Sequence, residues 1–292
     1  MGALSAEPDM AKTIDVLSSS GAPLQAEMRD ALVHSIPLKK AESGLDALYL
    51  WGRVIATGGR DYVVAEGFRG AAGEVGPDGK LRLTLVHCVT QDGVNWADLP
   101  APLPTEAAAC RALITPFTGD GAFVCRLGKD GLQIVPSGDD DGDAADDGGG
   151  DDAAGADGAE RSLDDPVRSV PELLRLKCLC DAVNAECGAV PVGALVEDAD
   201  RRVRPSLAFR PAAVPEALEA WSHRLDGPSS KVTLADDPVG SWAVRHDALL
   251  GRTEVRSTVW LGYRAFVCGR TGEWGGLYVG SGTRNNDLVF ML

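Results

Sequence analysis

The sequence predicts a mixed α+β fold: antiparallel sheet drawn from both halves of the chain, packed with an N-terminal helical segment and a mid-chain helix, and interrupted by a disordered acidic insertion. Three observations carry this. Residues 240–292 hold aromatic, β-branched runs separated by glycine and charge, the pattern of antiparallel hairpin strands. Residues 45–67 repeat that texture near the other end of the chain. Between them, residues 137–165 are almost wholly Asp, Gly and Ala, too polar to bury the surface that would offset the entropy of ordering. The expected organisation is a helical segment at 1–44, a first half of sheet at 45–136, the acidic loop at 137–165 and a second half of the same domain at 166–292.

Taken in order, residues 10–36 read as one or two short helices. Pro23 suits a first turn, and Leu24, Met28, Ala31 and Leu32 form an apolar stripe able to cover a sheet. Leu48-Tyr49-Leu50-Trp51-Gly52-Arg53-Val54-Ile55 is apolar on both alternating faces. That predicts a strand buried on two sides, with Gly52 allowing a close backbone approach or a bend. Gly58-Gly59-Arg60-Asp61 turns the chain, and Tyr62–Gly67 returns as a hairpin partner. Lys80–Cys88 alternates as one further strand, Glu106–Leu113 is a short helix, and Ala122–Leu127 is another strand.

After the insertion, Ser169, Pro171 and Glu172 read as a capping box and first turn. Leu176, Leu179, Cys180, Val183 and Cys187 then make one apolar helix face, which Gly188 ends. Ala189–Val196 reads as a strand whose Pro191 favours an edge or bulge. A small helix from Pro215 buries Leu218, Trp221 and Leu225. Strands follow at Ser241–His246, from Thr253 through Val259 and Trp260, at Tyr263–Cys268 and at Leu277–Gly280. Isolated hairpins are marginal, so these strands need a shared sheet and a covering layer.

The formal net charge of −15 is concentrated in one place. Twelve acidic residues and one basic residue, Arg161, lie between Asp139 and Asp165, which leaves −4 for the rest. That balance argues against nucleic acid and anionic membrane as partners, since both call for clustered Lys and Arg. Seven cysteines without a secretory leader pattern fit a reducing compartment. No stretch has the length of a membrane span, so the sequence predicts a soluble intracellular protein.

Motifs for chemistry are weak. Cys178, Cys180 and Cys187 lie on a predicted helix where positions i and i+2 face apart, unlike a zinc knuckle. His87 and Cys88 diverge on a strand, and His34, His223 and His246 lack local partners. A calcium loop starting at Asp139 fails where Ala144 and Gly150 stand. Gly280-Ser281-Gly282 lacks the third glycine and the helix of a dinucleotide fingerprint. No metal, cofactor, catalytic residue or small-molecule substrate is assigned. The alternative reading, an enzyme or metal-dependent sensor built from the Cys and His residues, requires a site assembled from distant positions.

Large rings are abundant in the strands, and rings of this size dominate interfaces as well as cores. The partner-interface candidates are Trp51, Arg53, Tyr62, Trp260, Tyr263, Trp274 and Tyr278.

The same stretches resemble the radial spoke head proteins. The likeness lies in Leu48–Ile55 followed by Asp61-Tyr62-Val63-Val64-Ala65-Glu66-Gly67, and in Val190-Pro191-Val192-Gly193-Ala194-Leu195. It continues in Gly240-Ser241-Trp242, Arg256-Ser257-Thr258-Val259-Trp260-Leu261-Gly262, Leu277–Gly282 and Asn286–Leu292. It covers both folded halves in matching order and skips the acidic insertion. The family pattern has proline where Leu261 and Val289 stand, so the turn at Leu261-Gly262 and the last strand are expected to differ locally. The resemblance implies a non-enzymatic subunit of the spoke head in the axoneme of motile cilia and flagella, part of the cytoskeleton within the cytoplasm, that acts in mechanical regulation of dynein. The implied partners are radial spoke head proteins 4 and 6, radial spoke head protein 1 and other head subunits.

Overall fold

The computed structural model describes Thr13 and residues 23–113, 115–126 and 169–287. The acidic insertion at 137–165 and the last strand around Val289 lie outside the described residues. Three helices carry the described part: α1 (Ala26–Glu42), α2 (Pro104–Ala112) and α3 (Glu172–Cys187). The central element is an eight-stranded sheet built from β1 (Ala47–Val54), β2 (Tyr62–Phe68), β5 (Val86–Thr90), β6 (Ala97–Asp98), β13 (Trp242–Asp247), β14 (Arg252–Ser257), β15 (Tyr263–Cys268) and β16 (Trp274–Gly280). Its order is β13-β14-β15-β16-β1-β2-β5-β6. Every neighbouring pair is antiparallel except β16 and β1, which run parallel where the second half of the chain meets the first.

The halves are joined elsewhere too. A four-stranded sheet orders β10 (Leu195–Glu197), β11 (Arg202–Pro205), β3 (Gly73–Val75) and β4 (Leu81–Leu83) around Val75, Leu81 and Val203. A ribbon of β7 (Val124–Arg126) and β8 (Ser169–Pro171) pairs Arg126 with Ser169, so the two ends of the intervening segment are clasped together. β9 (Ala189–Pro191) pairs with β12 (Trp221–His223).

Both faces of the large sheet are covered, which is why β1 reads apolar on both sides. On one face α1 brings Leu32 and Ile36, with Leu24 just ahead of it, onto Leu48, Leu50, Phe266 and Leu277. On the other, α3 lays Leu176, Leu179, Cys180, Val183 and Cys187 against Trp51, Val54, Val255, Tyr263 and Tyr278. Burial on this scale is the main favourable term in folding.

Gly52 makes the seam possible. The register of β1 on β2 shifts between Leu50 and Gly52, a bulge around Trp51. Gly52 has φ +154, and a Cβ there would lie 2.0 Å from the carbonyl oxygen of Tyr278, so only glycine lets the parallel strands approach.

Several elements differ from the sequence reading. α1 starts after Pro23 and continues through Pro37 to Glu42; the Pro37 ring faces solvent while Ser35 and Ile36 stay buried. Lys80–Cys88 is two strands in different sheets, broken where Thr84 donates from its N–H to Ala72 and from its hydroxyl to Ala71. Ala189–Val196 is likewise two strands, turned at Gly193 with φ +82. The helix expected from Pro215 is a pair of short 3₁₀ turns, Leu218–Ala220 and Arg224–Asp226, flanking β12. There Trp221 is fully buried and its indole N–H donates to the Pro215 carbonyl at 3.0 Å. The run through Trp260 stops at Ser257, whose hydroxyl accepts the N–H groups of Val259 and Trp260 and turns the chain.

Candidate interaction site

α3 begins without the expected capping box. Ser169 belongs to β8, Pro171 is the N-cap, and Glu172 reaches across the molecule instead. Its fully buried carboxylate accepts from the Tyr62 hydroxyl at 2.8 Å, the Thr118 N–H and hydroxyl, and the Gly119 N–H. A carboxylate at a helix N-terminus is also favoured by the helix dipole. Glu172 thereby ties α3 to β2 and to the loop ahead of β7. The same helix start carries Arg175, whose guanidinium lies 4.4 Å from the Phe117 ring centroid and donates to the Thr115 and Pro116 carbonyls.

A second buried network sits at the seam. The Trp51 indole N–H donates to Asn184 Oδ1 at 3.0 Å, and Asn184 Nδ2 donates to Glu66 Oε2 at 2.5 Å. Arg224 donates twice to Glu66 Oε1, at 3.0 and 3.1 Å. His87 Nε2 lies 3.3 Å from Glu66 Oε2 without the alignment of a hydrogen bond. Burial pushes the Glu66 carboxyl upward, but the Arg224 charge, then His87 and the Asn184 amide, outweigh it and hold the group well below the usual carboxylate range. A mostly apolar cavity of about 130 Å³ opens beside this network, with Tyr49, Phe68, Trp274 and Leu277 in its wall.

Five of the seven interface candidates are internal ties. Trp51 packs on Tyr278 at 5.4 Å between ring centroids. The Tyr263 hydroxyl accepts from the Ala189 N–H and the Tyr278 hydroxyl from the Gly282 N–H, at 3.0 and 2.9 Å. The Trp260 indole donates to Glu186 on α3 at 3.0 Å. Tyr62 is held by Glu172. Burial pushes the Tyr278 hydroxyl up to about 12 and raises Tyr62 and Tyr263 as well, so these hydroxyls stay protonated. Arg53 and Trp274 keep exposed surface. Arg53 pairs with Asp61, whose other oxygen accepts the Ala56 N–H, so it also pins the β1–β2 hairpin. Trp274 is half-buried at the cavity wall.

Apart from Cys110 and Cys178, which meet between α2 and α3, the described cysteines and histidines are dispersed. Cys180 and Cys187 are buried core thiols on α3; burial raises Cys180 well above the ordinary thiol value and Cys187 to about 11. His223 faces Asp237 at 2.9 Å, and His246 faces Thr253 and Glu216. Among the described residues no three His, Cys, Asp or Glu side chains gather as a metal-ligand set.

Two groups escaped the sequence reading. Glu66, Asn184 and Arg224 lie far apart in the chain and carry no local signal. The other group is on β14, where Arg252, Glu254 and Arg256 alternate onto one face. Glu254 is buried there among Arg252, Arg256 and Arg264 at 2.9, 3.4 and 3.7 Å. That alternation is legible with period 2.

No protein-family model matches the chain. Individual relatives do, over nearly the full length of both partners. The radial spoke head protein 9 homolog of Xenopus tropicalis is 27% identical over 304 residues, spanning 96% of this chain and 97% of the relative. The homologs of Homo sapiens and Danio rerio are each 24% identical over 301 and 305 residues, with the same coverage. The likeness runs through both halves of the sheet and the seam that joins them, and over that length the chain is similar to radial spoke head protein 9 homologs.

Proposed function

We propose that this protein is a non-enzymatic structural subunit of the radial spoke head in the axoneme of motile cilia and flagella. In this reading it is needed for head assembly and helps convey the mechanical signal that regulates dynein. The supporting observation is the likeness over 96% of the chain to radial spoke head protein 9 homologs. The architecture suits the role. Strands of residues 45–136 and 166–292 share one sheet, and its buried Trp and Tyr rings combine packing with a polar tie, which favours a body that passes force without deforming. The proposed neighbours are radial spoke head proteins 4 and 6, radial spoke head protein 1 and other head subunits. Of the ring and arginine candidates, Arg53 and Trp274 are the two with surface to offer them.

The test is fractionation of detergent-extracted cilia that carry a tagged copy of the chain. The tagged chain is expected in the axonemal pellet, and after high-salt extraction it is expected to co-purify with identified spoke head proteins. A chain that stays in the detergent-soluble fraction and brings down none of them overturns the reading.

A further inference from the structure

The eight-stranded sheet ends differently on its two sides. At one end β6 is only two residues long. At the other, β13 runs six residues and, among the described residues, pairs with β14 alone. Beyond its first residue, the Thr258 N–H donates to the Ser241 carbonyl at 3.0 Å. Inward and outward peptide groups alternate along an antiparallel pair. Ala243, Arg245 and Asp247 therefore turn their backbone groups toward β14, and Trp242, Val244 and His246 turn theirs outward. Among the described residues no strand takes them up.

The side chains beside this edge are unbalanced in charge. In register, Arg245 stands opposite Glu254, and Arg256 lies between Ala243 and Arg264. They share the face that carries Phe266, beyond the part under α1. Four arginines thus surround one buried carboxylate. The Nε atoms of Arg252 and Arg256 are buried with no hydrogen-bond partner among the described residues. On this face Asp247 accepts from the Leu249 and Leu250 N–H groups in the turn, while on the opposite face Glu216 pairs with His246 and Asp237 accepts from the Trp242 indole. This is a basic patch on a chain of net charge −15.

We infer that β13 is a docking edge for an extended acidic segment of another protein. The incoming segment adds a ninth strand by pairing with the outward peptide groups of Trp242, Val244 and His246, and it sets carboxylates on alternate residues against the arginine face. Strand addition to an open edge takes affinity from main-chain hydrogen bonds and specificity from alternate side chains, and guanidinium forks suit carboxylates. Its intervening residues are apolar, because Val244 offers an exposed side chain on the opposite face. A second copy is a poor occupant: edge-to-edge pairing of two β13 strands brings two arginine faces together, and like charges across a ladder are unfavourable. The inference stands apart from the spoke head reading, since the assay below needs no cilium.

The experiment uses the full chain and a fluorescein-labelled peptide of about ten residues alternating glutamate with valine and threonine, read by anisotropy. Saturable binding is expected, with affinity falling about tenfold or more when lysine replaces glutamate in the peptide, and falling as salt is raised to about 0.5 M. Val244→Pro removes an outward N–H without touching the β13–β14 ladder, and it should reduce binding about tenfold with little change in melting temperature. Arg245→Glu keeps the open backbone and should reduce binding similarly, so it decides the matter if the proline variant misfolds. Absence of binding, equal binding of both peptides, or full binding by both variants overturns the inference. So does binding that appears only after residues 139–165 are deleted, which would assign the edge to the chain's own acidic segment, or a dimer dispersed by Val244→Pro, which would assign it to a second copy.

Discussion

The β16–β1 seam and the β13 edge belong to one sheet and, apart from the two unpartnered ring nitrogens of His87 at the seam, treat polar groups in opposite ways. At the seam Glu66 is enclosed by Arg224, Asn184 and His87, and the indole and hydroxyl tips of Trp51, Tyr263 and Tyr278 each meet a partner. At the edge one carboxylate serves three arginines, and half of the strand's peptide groups face outward. A buried polar group left without a partner is costly, whereas one at a surface is solvated or waits for a ligand. The contrast separates two jobs that a count of aromatic residues merges. Rings at the seam make the body rigid, and recognition is better sought where charge and open backbone coincide.

That contrast is most severely tested at Gly52. Replacing it with valine sets a side chain into the Tyr278 carbonyl, so the parallel pairing must open. The expected loss is on the order of 4 kcal/mol or more, enough to abolish folding of a marginal protein, and chemical denaturation or loss of soluble expression checks it. Trp260→Ala removes a buried ring and its tie to Glu186, and should cost about 3 to 5 kcal/mol. A near-neutral result would move that ring from the core to a surface role.

Acid sharpens the comparison at the seam itself. The Glu66 carboxyl is held below its ordinary value in the folded state, so the unfolded chain takes up the proton first as pH falls. Its contribution is therefore complete above about pH 5 and is lost progressively below that. Glu66→Gln should flatten the acid limb of a stability-against-pH curve while lowering stability at neutral pH. If the acid limb keeps its slope, the network is not its source. Hydrogen exchange resolves the two regions directly: amides of β15, β16 and β1 should exchange slowest, and those of Trp242, Val244 and His246 fastest within the sheet. The smallest effect is expected from Arg245→Glu, which sets a like charge opposite Glu254 while Arg252, Arg256 and Arg264 remain; it should cost about 1 kcal/mol or less, as measured by thermal melting.

Local pattern was enough to identify β1, β2, β15 and the buried face of α3, because each is a run whose period matches its element. Gly52 was legible as a close-approach glycine, since a glycine inside an apolar strand has few other uses. What escaped depends on contacts made across the chain. Glu172 looks like a capping residue from its neighbours, but its partners Tyr62 and Thr118 lie 110 and 54 residues away. Trp221 sits at helical spacing from Leu218 and Leu225, yet pairing with β9 overrides that preference. The parallel closure of β16 on β1 and the enclosure of Glu66 follow from the same long-range assembly. Ring abundance alone does not reveal that five of the seven candidates, Trp51, Tyr62, Trp260, Tyr263 and Tyr278, are buried.

The β7–β8 ribbon has a further implication for engineering and for tolerance of change. Because Arg126 and Ser169 are already held side by side, the chain between them leaves and re-enters the body at almost one point. Lengthening such a closed excursion is penalised only logarithmically, by about 0.6 kcal/mol for each doubling. A fluorescent or affinity module placed within it should leave the sheet undisturbed, giving a handle for following the protein in place without touching either terminus.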